Sequence, residues 1–185
     1  MEKLEPARLS KADWVDAAYA AFEEGGVAAI RIDRLSKTLS VTRGSFYWHF
    51  EDRAALLHAV LDRWDAENTE ATIAANGVGG GDAAARLLRL LETCAADDGR
   101  LEMSVRSWAG EDAEASAVLQ KVDARRIGYM ADLLVAHGLS ASVASERARV
   151  IYLAWLGAYA GNAAADAARR TEDMRALWRL VLAAA

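Results

Sequence analysis

The sequence predicts an all-α protein: a small N-terminal helix-turn-helix head, then a linking helix, then a larger helical body. Three observations carry this expectation. Alanine, leucine, glutamate and arginine, all good helix formers, dominate the 185 residues, and the one proline, Pro6, lies near the start. Apolar residues recur at spacings of three and four, and no period-two alternation is long enough for a sheet. Glycines fall where helix ends are expected rather than in hairpins; Asn76-Gly77 runs into Val-Gly-Gly-Gly, a linker pattern.

The first helix is expected from Ser10 to Glu24. Ser10 suits an N-cap, and Asp13 three residues later suits a capping box. Val15, Ala18 and Phe22 share one face, and Gly25-Gly26 ends the helix. Short helices follow at about Asp33–Leu39 and Thr42–His49. Asp52 caps the next, from Arg53 to Ala75, whose buried stripe is Leu56, Leu57, Val60, Leu61 and Trp64. Asn76–Asp82 is the clearest break. Further helices are expected near 83–97, 101–110, 113–137, 141–168 and 172–184, with Gly99, Gly110 and Gly138 at or beside the breaks. The head is assigned residues 1–55 and the body 56–185.

Composition narrows the function. With 54% hydrophobic and 26% charged residues, a sizeable core can form and disorder is not expected. A single cysteine, Cys94, excludes an intramolecular disulfide and a thiolate zinc finger, and fits a reducing cytoplasm. No apolar run approaches the ~20 residues that span a bilayer, and the charged N-terminus has no signal-peptide core, so no membrane partner is expected. A net charge of −5 argues against a protein that coats nucleic acid over its whole surface, which makes charge distribution the better guide.

That distribution singles out one segment. Within Ala28–Leu57, two short helices flank a tight turn, a helix-turn-helix pattern. Ile32, Leu35 and Leu39 make the apolar face of the first, and Val41 and Phe46 anchor the second. Thr42, Arg43, Ser45, Trp48 and His49 are left largely outward, and Gly44 lets the backbone approach something closely. From Arg31 to His49 there are four basic residues and one acid, a net +3, which leaves about −8 for the rest of the chain. A basic edge on an acidic protein suits one polyanionic partner.

The stretch Val41-Thr42-Arg43-Gly44-Ser45-Phe46-Tyr47-Trp48-His49-Phe50, followed by Asp52-Arg53-Ala54-Ala55-Leu56-Leu57, resembles the DNA-binding head of the TetR family of bacterial transcriptional repressors. Ten consecutive positions fit the family's recognition segment, and the likeness covers about residues 8–57. The resemblance implies that Thr42, Arg43, Gly44 and Ser45 enter the major groove of double-stranded operator DNA. Arg43 is the first choice for a bidentate contact to guanine. It further implies that Tyr47, His49, Arg31 and Arg53 meet phosphates. Three departures stand out. Ser40 replaces the turn glycine, at a cost on the order of 1 kcal/mol if its backbone is left-handed. Ser36 replaces an alanine between packed helices, and Trp48 is larger than most members carry.

In the body, Ala154, Gly157, Ala158, Gly161 and Ala165 form a stripe of small residues, and Met174, Leu177, Trp178, Val181 and Leu182 form one apolar face of the last helix. The resemblance implies that these two helices pair with their twins in a homodimer, which matches a palindromic site. It also implies a pocket for an unidentified small-molecule effector, lipophilic or aromatic. Its candidate lining is Trp64, Met103, Trp108, Tyr129, Met130, Tyr152 and Trp155, with Arg106 and Arg126 as counter-charges. Each of these residues also reads simply as core.

No catalytic residue, metal site or cofactor is expected. His49, His58 and His137 show no metal-ligand spacing. Cys94 shares an apolar face with Leu87, Leu88 and Leu91, which suits a buried structural thiol. The glycines of 77–81 lack the lysine of a phosphate loop, and the acidic pairs Asp97-Asp98 and Glu111-Asp112 suit helix starts. The alternative to a ligand-responsive regulator is a helical small-molecule-binding or scaffolding protein that does not bind DNA.

Overall fold

A computed structural model describes residues 9–160 and 166–183. Among these residues the regular structure is helical and no strand occurs. The chain divides between Trp64 and Asp65 into two compact units, rather than at 55/56.

The first unit opens with α1 (Lys11–Gly25). Ser10 and Asp13 form the expected capping box: Ser10 Oγ accepts from the Asp13 N–H, and Asp13 Oδ2 accepts from the Ser10 N–H at 2.6 Å. That backbone hydrogen bond, more than any other contact, holds the Asp13 carboxyl below its usual range. Trp14, Ala18, Tyr19, Ala21 and Phe22 are the buried face. After a 3-10 turn (Val27–Ala29) come α2 (Ile32–Thr38), α3 (Arg43–Phe46) and α4 (Arg53–Asp65). Asp52 caps α4, its carboxylate accepting from the Ala55 N–H at 2.8 Å. All five predicted stripe residues of α4 are buried. Arg63 fastens α4 to α1 by pairing with Asp16 and lying 4.5 Å over the Tyr19 ring.

In the second unit, helical structure continues through a π-helical turn (Ala66–Glu70) into α5 (Ala71–Val78). The expected break at Asn76 is therefore displaced to Gly79. Asn76 is buried, and its amide has tertiary partners: Nδ2 donates to Arg86 O (2.9 Å) and Oδ1 accepts from Tyr129 OH (2.8 Å). Those bonds outweigh the turn preference of an Asn-Gly pair. Then follow α6 (Ala83–Ala96), α7 (Arg100–Ala109), α8 (Ala113–Ala136), α9 (Ala141–Ala160) and α10 (Ala167–Ala183). The single helix expected over 141–168 is interrupted at Asp166, which is not helical, and α10 begins five residues earlier than expected, where Asp166 accepts from the Arg169 N–H at 3.0 Å.

The core of this unit joins α6, α8, α9 and α10. Leu87, Leu91, Met130, Leu134, Ile151, Tyr152, Trp155, Met174 and Val181 belong to it, with Cys94 packed against it. Burial pushes the Cys94 thiol up to about 11, as suits a structural cysteine. Arg170 is only 2% exposed. It donates to Ala95 O (3.0 Å) and Asp97 O (2.7 Å), closing the end of α6. No described helix is long and apolar enough to cross a membrane, and no described group of three or more His, Cys, Asp or Glu residues is placed to hold a metal ion.

Candidate nucleic-acid interface

The α2–α3 turn is built by backbone geometry. Val41 N–H donates to Ser36 O (2.9 Å) and Ser40 N–H to Lys37 O (3.1 Å), the paired bonds of a Schellman motif closing α2. The motif puts its C′ residue, Ser40, at φ +56°, where glycine is the unstrained choice. The sequence-based concern about Ser40 is thereby realised. Ser36 is accommodated: it is buried, and its hydroxyl donates to Ile32 O at 2.7 Å.

α3 is shorter than the predicted Thr42–His49. Helical structure ends at Phe46, and the chain then tightens, His49 N–H donating to Phe46 O at 2.9 Å. This turn brings Phe50 back to stack on Phe46 at 5.4 Å, while Trp14 meets Phe46 edge-on at 5.3 Å. Phe46 is fully buried and Phe50 nearly so. With two of the four aromatics committed inward, the other two are forced outward: Tyr47 is 57% and Trp48 82% exposed.

Thr42, Arg43 and Gly44 are exposed, and Ser45 and His49 half-buried, on this same segment. A Cβ on Gly44 would meet only Thr42 Oγ1, at an ordinary 3.6 Å. The fold itself therefore does not require glycine there, and the bare backbone is presented to the exterior. Arg43 and Lys37 have no ion-pair partner among the described residues. Arg31, the exposed N-cap of α2, pairs with Asp33 at 3.3 Å, and Arg34 with Glu24 at 2.9 Å. Both pairs are solvent-exposed, so each is weak and exchangeable. Arg53 has a different use from the expected phosphate contact. Its Nε donates to Ile30 O (2.8 Å) and its Nη2 to Val27 O (2.9 Å), so it ties the start of α4 to the 3-10 turn.

The residues expected at an effector pocket are dispersed or already engaged. Trp64 belongs to the core of the first unit, and Met103 is exposed. Arg106 and Arg126 are neutralised within the chain. Arg126 donates to Glu102 Oε2 and Thr69 Oγ1, each at 2.9 Å, and lies 5.7 Å over the Trp155 ring. Arg106 donates to Glu102 Oε1 (2.8 Å), to both Asp123 oxygens (2.7 and 3.1 Å) and to Tyr152 OH (2.8 Å). Two guanidinium groups face two carboxylates, leaving no spare charge. Trp108, Met130, Tyr152 and Trp155 are buried, and half-buried Tyr129 bonds to Asn76 and Arg86. The sequence reading missed Glu102 and Asp123; the i, i+4 spacing of Glu102 and Arg106 was the available signal.

The residues expected at a dimer interface separate likewise. On α10, Met174 (3% exposed) and Val181 are core, and Leu177, Trp178 and Leu182 pack against that core within the same chain. The reason is α6, whose apolar face receives α10; Trp178 Nε1 donates to Ala84 O at 3.0 Å. On α9, Gly157 is exposed and Ala154 half-buried, while Ala158 packs against the core. Gly161 and Ala165 lie outside the described residues. The apolar side chains that do face outward are Val150 (56%) and Leu153 (67%) on α9 and Leu180 (71%) on α10.

Comparison with known proteins agrees with this geometry. Residues 15–60 match the family described as bacterial regulatory proteins, tetR family. HTH-type transcriptional regulator TtgR of Pseudomonas putida is 40% identical over 58 residues, which are 31% of this chain and 28% of TtgR, so the match spans under a third of that relative. The crystal structure of a transcriptional regulator from Rhodococcus sp. Rha1 superposes with a TM-score of 0.78 at 16% identity, covering 95% of this chain and 97% of that one. A TetR-like transcriptional regulator from Rhodococcus sp. RHA1 superposes at 0.72 with 18% identity, covering 98% and 100%. Over residues 15–60 this chain is therefore similar to the tetR family of bacterial regulatory proteins, and over its length it has the fold of these solved regulators.

Proposed function

We propose that the protein is a ligand-responsive transcriptional regulator, in the first instance a repressor, that binds a palindromic operator as a homodimer. The observation that carries this reading is the exposed set Thr42, Arg43, Gly44, Tyr47 and Trp48, with Arg43 outside any ion pair among the described residues and an aromatic base of Trp14, Phe46 and Phe50 behind it. Arg43 reads a guanine edge, Thr42 and Ser45 offer hydroxyls, and Tyr47, His49, Lys37 and Arg31 engage phosphates. Trp48 presents a large apolar face suited to a thymine methyl group or a sugar edge.

Dimerisation is supported by the outward stripe of Val150, Leu153 and Gly157 on α9, with Leu180 on α10. It replaces the apolar face of α10 as the proposed contact. A two-fold dimer calls for inverted half-sites about one helical turn apart, on the order of 34 Å. An effector bound in the second unit that favours a conformation unfit for both half-sites lowers operator affinity.

Selection from a random duplex pool tests the reading. The expected product is an inverted repeat bound by two chains. A pool that shows no enrichment, or a single unrepeated half-site bound by a monomer, contradicts it.

A further inference from the structure

One groove in the second unit plays no part in the function proposed so far. It is lined by the π-helical turn, α5 and α6 and has a volume of about 340 Å³. Ala71, Ala75 and Leu90 make its walls apolar, and Thr72 and Thr93 add hydroxyls. At one end stands Arg89. Its Nη2 donates to Gly80 O (2.8 Å) and Asn76 O (3.4 Å), beside the C-terminal end of α5, while its Nε is buried without an acceptor. Arg86, one turn earlier on α6, repeats the pattern: Nη2 donates to Tyr129 OH (3.0 Å), and Nε is again buried without an acceptor.

These two arginines differ from those that pair with carboxylates across the same unit. Arg106, Arg125 and Arg126 each pair with carboxylates. Neither Arg86 nor Arg89 has an ion-pair partner among the described residues. The groove does hold one carboxylate, Glu67. Glu67 precedes Asn76 by nine residues, which on a helix is about 13 Å from the carbonyls that Arg89 grips. The groove therefore has a basic end, an apolar middle and a remote acid. Arg89 has no carboxylate partner among the described residues, so a ligand that brings a negative charge to that end of the groove gains a charge-assisted contact. The glycine loop is shaped to this arrangement: a Cβ on Gly79 would stand 3.0 Å from Arg89 Nη2.

We infer that this groove binds a small amphipathic carboxylic acid, its carboxylate on Arg89 and its apolar tail along Ala71, Ala75 and Leu90. The inference rests on the ligand-responsive reading and deepens it. The lipophilic effector acquires an acidic head, and its counter-charge is Arg89 rather than the already neutralised Arg106 and Arg126.

The test is calorimetry and thermal melting of the full chain with octanoate and with octanamide, its neutral isostere. Octanoate is expected to bind saturably and raise the melting temperature, with octanamide weaker by at least about tenfold. Arg89→Gln should reduce octanoate to the octanamide level. Thr93→Trp, at an exposed position, should fill the groove and abolish binding even if Arg89→Gln fails to fold. The inference is overturned by no saturable octanoate binding at millimolar concentration, by equal affinity for the two ligands, or by binding that Thr93→Trp leaves untouched. Duplex binding is measured separately on the same protein. Its loss with octanoate binding retained sinks the regulator reading and leaves the groove, whereas the reverse pattern sinks the groove alone.

Discussion

The outer surface of the helix-turn-helix and the network around Glu102 use cations in opposite ways. In the second, Arg106 and Arg126 are held by Glu102 and Asp123 in a charge-balanced network that reaches Thr69, Tyr152 and Trp155. In the first, Arg43 and Lys37 carry no ion pair, and Arg31 and Arg34 have only exposed, exchangeable partners. A buried cation must be neutralised by its own chain or it destabilises the fold. A surface cation left uncompensated costs the fold little and is available to an external polyanion. Where a protein withholds internal partners from its charges is therefore where a partner is to be sought.

The largest effect that sharpens this contrast lies in the body. Glu102→Ala leaves two arginines under-compensated, and the expected loss is about 3–5 kcal/mol in chemical denaturation. A loss below about 1 kcal/mol would break the contrast, because the network would then be dispensable. Arg43→Ala is the mirror experiment. It should cost about 1–3 kcal/mol of operator affinity and relax specificity at one base pair. It should shift unfolding by no more than about 0.5 kcal/mol, since the side chain holds nothing in the fold. Ser40→Gly comes next. Relief of a left-handed serine should stabilise the head by about 1 kcal/mol, read as a higher denaturation midpoint with duplex affinity retained. The smallest effect is at the start of α1. Because the Asp13 carboxyl is held below its usual range by the Ser10 N–H, its contribution is present above the unfolded-state value and is lost as pH falls through the folded one. Asp13→Asn should therefore flatten the acid limb of the stability profile and leave neutral pH nearly unchanged.

The head was largely legible because its determinants are local. Ser10 with Asp13, the stripe of Leu56 to Trp64, and the Val41–Phe50 segment each announce themselves within a dozen residues. What was not legible there is the internal role of Arg53, expected at a phosphate, which donates to the Val27 and Ile30 carbonyls that the fold brings to it. The body was legible as helices but not as contacts. Asn76 looked like a loop residue, yet partners from α6 and α8 keep it helical. The apolar face of α10 looked like an interface, yet α6 covers it. Apolar periodicity reports that a face is buried and is silent on which chain buries it. The pairing of Arg106 with Asp123 joins α7 to α8 across seventeen positions, and no spacing rule announces such a bond.

The central claim is that the helix-turn-helix surface carrying Lys37 and Arg43 engages duplex DNA through cations the fold leaves uncompensated. Fluorescence anisotropy with a labelled duplex, titrated across salt concentrations, tests it most directly. The account predicts tight binding at low ionic strength, a log–log salt slope reflecting several phosphate contacts, and a slope shallower by about one on loss of Lys37. Absence of binding at low salt, or binding indifferent to salt and to Arg43, would contradict it.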